Sequence, residues 1–248
     1  MYNNNEIKQV IFRLDFADKT VSNEIVEKPL FLEAVLNTFK TQKPDEVQLV
    51  NELTQNPSDP SLFKANQLNK ITKVFSTIDG SVNLKFNNKF LIISASIYEN
   101  RVKFSEFILP VLEKLFEEEQ NCLVSRIGLR FINVFDASKY NSADFATKYK
   151  SLITNNKNIN DDLIYSQSII HEEVIAEDIR IKLNFGLYNP TMPSPLKNKD
   201  ILVDIDAIHG GAVKTFEDVS RIFERAQSVS EIVFESVITD NLRKKLDK

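Results

Sequence analysis

The sequence has no tryptophan, one cysteine, two histidines and five glycines in 248 residues. Each shortage excludes something. A lone cysteine, Cys122, allows no intramolecular disulfide, and its place after an apolar helix reads as a small buried hydrophobe. Two histidines rule out a histidine-rich catalytic site. The glycines form no phosphate loop, because Gly210-Gly211 precede no Lys-Ser or Lys-Thr pair, and no Gly-x-Ser-x-Gly elbow occurs. No apolar run is long enough to span a bilayer. The opening Met1-Tyr2-Asn3-Asn4-Asn5 is polar and lacks the apolar run of a signal peptide. A cytoplasmic location is therefore expected. Positive charge is also short: 31 Lys and Arg face 35 Asp and Glu, giving a net charge of -4. That balance argues against a chain drawn as a whole to nucleic acid or anionic membrane.

What is present is ordinary for a globular protein: 42% hydrophobic and 27% charged residues. The 18 phenylalanines carry no polar handle and are expected mostly in the core.

Alternation of Val10, Phe12, Leu14 and Phe16 with Ile11, Arg13 and Asp15 predicts a strand over 7–16. Pro29 opens a helix running to Lys40. Val47, Leu49 and Leu53 suggest a short strand, and Asn56-Pro57-Ser58-Asp59-Pro60 reads as a loop. Strands over 70–78, 81–86 and 89–98 form a meander, with a type I′ turn expected at Asp79-Gly80 and a similar one at Asn87-Asn88. A helix follows over 103–119, with Pro110 expected to kink it. The second half reads as a strand over 123–135, a helix over 143–153 with Ser142 as N-cap, and strands over 163–175, 178–188 and 200–208. Gly210-Gly211 is read as ending the last strand. A long helix begins at a capping box, Thr215-Phe216-Glu217-Asp218, and Thr239 caps a final turn.

The order strand, helix, three strands, helix occurs twice. It predicts an α+β fold of duplicated β-α-β-β-β-α units, 1–121 and 122–248. The two join edge to edge into one curved antiparallel sheet packed by long helices. In outline this resembles the helix-grip and TATA-binding-protein-like folds, a likeness that carries no function.

Three clusters could carry chemistry. Arg126 and Arg130 share one strand face and could bind a phosphate or carboxylate. The blander reading, preferred here, is a salt-bridged face with Asp204 and Asp206 as partners. Asp204, Asp206 and the following His209 could hold a divalent cation, but no further ligand is evident, and no metal or other cofactor is expected. In His171-Glu172-Glu173 only His171 and Glu173 can converge on a strand. Lys85-Phe86 and Lys89-Phe90 interleave cations and rings, yet these rings suit a core better than a stacking platform. Arg243-Lys244-Lys245 reads as a favourable helix end.

The segments Arg126-Ile127-Gly128-Leu129-Arg130-Phe131-Ile132-Asn133, Leu202-Val203-Asp204-Ile205-Asp206 and Phe234-Glu235-Ser236-Val237-Ile238-Thr239-Asp240 resemble the ordered landmarks of a sporadically distributed bacterial family of unknown function. The resemblance implies a match over nearly the whole chain. Its patchy distribution implies mobile or defence-related gene neighbourhoods. It supplies no catalytic residues, only positions to inspect first: Arg130, Asn133, Asp204, Asp206 and Asp240.

The leading expectation is a non-enzymatic binding module, an accessory or regulatory subunit acting through a protein partner. The second is a ligand receptor or enzyme with Arg126, Arg130, Asn133, Asp204 and Asp206 on the concave sheet face. Nucleic-acid binding comes third. Self-association through sheet edges is compatible with each, and no membrane partner is expected.

Overall fold

The computed structural model describes residues 2, 5–18, 20–22, 24–56, 59–154, 168–189 and 200–247, with backbone alone over 49–69 and at 154. Its strands are β1 (Ile7–Phe16), β2 (Thr41–Asn56), β3 (Asp59–Ser76), β4 (Val82–Phe86), β5 (Phe90–Ala95), β6 (Val124–Phe135), β7 (Ser168–Ala176), β8 (Ile179–Tyr188) and β9 (Asp200–Val213). Its helices are α1 (Pro29–Thr38), α2 (Arg101–Glu118), α3 (Thr147–Thr154), α4 (Phe216–Val237) and α5 (Asp240–Leu246). The expected α+β class with a curved antiparallel sheet is what the structure has.

All nine strands join in one antiparallel sheet, ordered β2-β3-β4-β5-β1-β6-β9-β8-β7. β1 and β6 form the central seam, with Phe12 opposite Leu129 and Asp15 opposite Arg126. On each side of the seam the last strand of a meander lies next to the first strand of its half. The correspondence is one of order, and among the described residues β2 has no counterpart in the second half.

Period-two alternation sorts the side chains. Val10, Phe12 and Leu14 of β1, Ile127 and Leu129 of β6, and Val203 and Ile205 of β9 are buried on one face. That face carries the helices: Phe12 meets Phe223 of α4 edge-on at 5.2 Å, and Phe31 of α1 meets Phe86 of β4 at 5.1 Å. The opposite face carries Arg13, Asp15, Arg126, Arg130, Asp204 and Asp206.

Several expectations are corrected. The short strand near Val47 is the 16-residue β2, and Asp59 and Pro60 belong to β3 rather than to a loop. Pro57 and Ser58 lie outside the described residues, as do the first residues of the strand expected over 163–175 and the proline loop over 190–199. At Asp79-Gly80 only Gly80 has positive φ (72°), so the turn is not type I′. Asp79 instead accepts hydrogen bonds from Thr77 Oγ1 and Ser81 N, and these hold its carboxyl below the usual range. At Asn87-Asn88 neither residue has positive φ either. The Asn87 carboxamide closes that turn by accepting from the backbone N–H of Lys89 and Phe90. α2 begins at Arg101 rather than Lys103 and runs to Glu118 with Pro110 inside it. Asn141, not Ser142, caps a 3₁₀ turn at Ser142–Asp144, and the α-helix begins only at Thr147. Gly210-Gly211 does not end β9. The strand runs to Val213 with a register shift against β6, as an inserted bulge produces. Gly186 needs to be glycine: an added Cβ would stand 2.0 Å from the Ser168 carbonyl oxygen, at φ 152°. Thr215 caps α4 as expected, accepting from Asp218 N, whereas Thr239 at the head of α5 donates to the Ala143 carbonyl instead of capping.

Candidate functional site

The five candidates named from the sequence divide between the two faces of the sheet. Arg126, Arg130, Asp204 and Asp206 meet on the helix-free face. Arg130 grips Asp204 with two parallel bonds, Nε to Oδ1 at 2.7 Å and Nη2 to Oδ2 at 2.8 Å. Asn184 of β8 donates to the same carboxylate at 2.6 Å, and its own carbonyl oxygen lies 2.5 Å from His171 Nδ1. Arg126 pairs with Asp15 across the seam at 3.2 Å and with Asp206 at 3.7 Å. Arg13 closes the line by binding Asp15 at 2.6 Å. Opposite charges alternating across neighbouring strands give this network its register.

The electrostatics follow from burial. Asp204 is 2% exposed, and its bonds hold the Arg130 guanidinium charged, above its ordinary range. Asp206 has the weaker partner. Burial pushes its carboxyl above the usual range, against the pull of Arg126 and Arg130, while the neighbouring Asp204 charge adds to the rise.

Asn133 is an odd-numbered position among even-numbered ones, so strand alternation turns it to the other face. It is 4% exposed and donates to the Val203 carbonyl at 3.0 Å. His209 is likewise on the helix side, parted from Asp204 and Asp206. Its Nδ1 is 3.1 Å from Asp178 Oδ2, yet it forms no hydrogen bond there. Among the described residues no group of three or more His, Cys, Asp and Glu is placed to hold a metal ion. Glu172 points away from His171 and Glu173, as alternation requires, and takes Lys148 and Tyr149 as partners. Asp240 pairs with Arg243 inside the first turn of α5. Burial pushes the Cys122 thiol up to about 12, which makes it a poor nucleophile.

Asn133 opens onto a feature the sequence did not reveal. A cavity of about 600 Å³ lies between the sheet, the start of α2 and the middle of α4. Phe131, Asn133 and Ile205 come from the sheet, Tyr98 from just before α2, and Gln227 and Ser230 from α4. Burial pushes the Tyr98 hydroxyl up to about 12. Gln227 and Ser230 are 5% and 3% exposed, and neither the Gln227 amide nor the Ser230 hydroxyl has a hydrogen-bond partner among the described residues. Each such group costs about 1–3 kcal/mol. The sequence does hold a signal for them. The apolar stripe through Val219, Phe223 and Ala226 continues at helical spacing to 227, 230 and 234, and two polar residues interrupt it. Ile232 of the same helix is exposed.

A third feature is the ribbon formed by β2 and β3. β4 pairs only with Lys73–Ser76 of β3. Beyond a register shift between Lys43 and Glu46, where Pro44 sits, β2 and β3 pair, among the described residues, with each other alone, from Glu46↔Thr72 to Asn56↔Asp59. At about 3.3 Å per residue this is roughly 35 Å of two-stranded ladder. Val47 and Ile71, directly opposed at its base, are 61% and 52% exposed.

No family model matches the chain, and no curated protein matches it. Among the described residues no helix is long and apolar enough to cross a membrane.

Proposed function

We propose that the chain is a non-enzymatic binding module, an accessory or regulatory subunit acting through a protein partner that docks on the β2–β3 ribbon. The observation that carries this reading is the ladder itself. A two-stranded ribbon outside a sheet is marginal in water. β2 is also the edge strand, and a strand edge is a template for a partner's strand. The apolar pair Val47 and Ile71 gives that partner an anchor where the ribbon leaves the body.

The enzyme or receptor reading at the helix-free face draws less support, because Arg126 and Arg130 are engaged by Asp15, Asp204 and Asp206. Nucleic-acid binding draws less still: Phe86 is buried and Phe90 lies under the Arg13 guanidinium. The three landmark segments support membership of the bacterial family of unknown function, with defence as its setting. A single buried thiol suits the cytoplasm.

The test replaces residues 47–71 with a two-residue turn joining Glu46 to Thr72. The tagged full chain should retain a stoichiometric protein partner on purification. The shortened chain should melt normally and lose it. Recovery of the full chain alone, or equal retention by the shortened chain, overturns the reading.

A further inference from the structure

We propose that the cavity between the sheet and helices α2 and α4 is a binding site for a small uncharged molecule carrying an amide or lactam edge on a flat apolar body. The site is separate from the ribbon and does not depend on it.

Three observations lead there. First, the unpaired groups sit together in one wall, since Gln227 and Ser230 are one helical turn apart on α4. Second, Ser230 departs from three other serines of α2 and α4. Ser105, Ser228 and Ser236 each donate to a carbonyl of their own helix, at 2.7, 3.1 and 2.7 Å. Ser230 makes no such bond. A buried hydroxyl and a buried carboxamide left unpaired are a cost to the fold, and a ligand that pairs them recovers it. Third, the surroundings fit a flat apolar body: Tyr98, Phe131 and Phe234 line the cavity, and its size falls in the usual range for small-molecule sites.

The chemistry of the unpaired groups sets the ligand class. A carboxamide offers a donor and an acceptor side by side, and its best complement is another amide-like edge. The groups left over are neutral. Of the carboxylates that line the cavity, Glu235 accepts from Tyr2 and Arg243 and Glu6 accepts from Tyr140, while Glu231 is exposed, as are the lining cations Arg101 and Lys103. A charged ligand would enter without a buried counter-ion, at a large desolvation cost. In the unliganded arrangement the Gln227 amide is enclosed in the wall. Turning it toward the cavity breaks no hydrogen bond, so binding needs only a side-chain rotation.

The probes are nicotinamide and thymine at millimolar concentration, with 3-methylpyridine as the ring lacking the edge. Binding is read by ligand-observed NMR and by melting temperature. At least one probe should bind and raise the melting temperature, and 3-methylpyridine should do neither. Gln227→Leu and Ser230→Ala should melt at or above the wild type and bind that probe at least tenfold more weakly. Absence of binding by both probes overturns the proposal. So does binding that ignores both substitutions, or a fall in melting temperature for both variants.

Discussion

The two faces of the central sheet handle polar groups in opposite ways. On the helix-free face Arg13, Asp15, Arg126, Arg130, Asn184, Asp204 and Asp206 engage one another. Under the helices Gln227 and Ser230 are buried without partners among the described residues. The charged cluster, which the sequence offers both as an anion site and as a salt-bridged face, has its members paired with one another in the fold. The neutral pair looks like ordinary helix surface and carries the unmet hydrogen-bonding capacity. A residue's charge is a poorer guide to a site than whether its neighbours already satisfy it.

The largest effect that sharpens this contrast belongs to Arg130. Arg130→Ala leaves the Asp204 carboxylate buried with Asn184 as its remaining bonded partner. We expect a loss of about 1–2 kcal/mol, discounted because Arg130 is 42% exposed. That is a fall of roughly 2–8 °C in a thermal melt. Asp204→Asn should cost less, since it leaves a guanidinium that water can reach. Equal costs would contradict the asymmetry.

Asp206 gives the smaller effect, and its sign is opposite. Its folded pKa is raised, so its contribution to stability is complete below its ordinary value of 3.8 and is lost as pH rises through the folded value. Ionised at neutral pH, it burdens the fold. Asp206→Asn should therefore melt slightly higher than the wild type at pH 7, with the gain vanishing toward pH 3.8. A gain that persists unchanged in acid would mean that burial is not its cause.

Much of the fold was legible because it rests on local periodicity. β1 and the stripes of α2 and α4 follow from alternation and helical spacing, with Pro29 and Thr215 marking helix starts. The pairing of Arg126 and Arg130 with carboxylates of β9 followed from strand parity. The same parity places Asn133 on the opposite face, so taking it with Arg130 from one landmark segment led astray. The ribbon was missed because its strands carry many Asn and Gln residues, and the segment from Asn56 to Pro60 looks like a loop, although Asp59 and Pro60 belong to β3. The cavity depends on which elements meet in space. Only the break in the α4 stripe at 227 and 230 hinted at it.

The central claim is that the charged face is structural and that the unpaired groups under the helices serve a ligand. The most direct measurement compares the unliganded melting temperatures of Arg130→Ala and Gln227→Leu with the wild type. The account predicts a fall for Arg130→Ala and an equal or higher value for Gln227→Leu. The reverse order, a tolerant Arg130 and an indispensable Gln227, would contradict it.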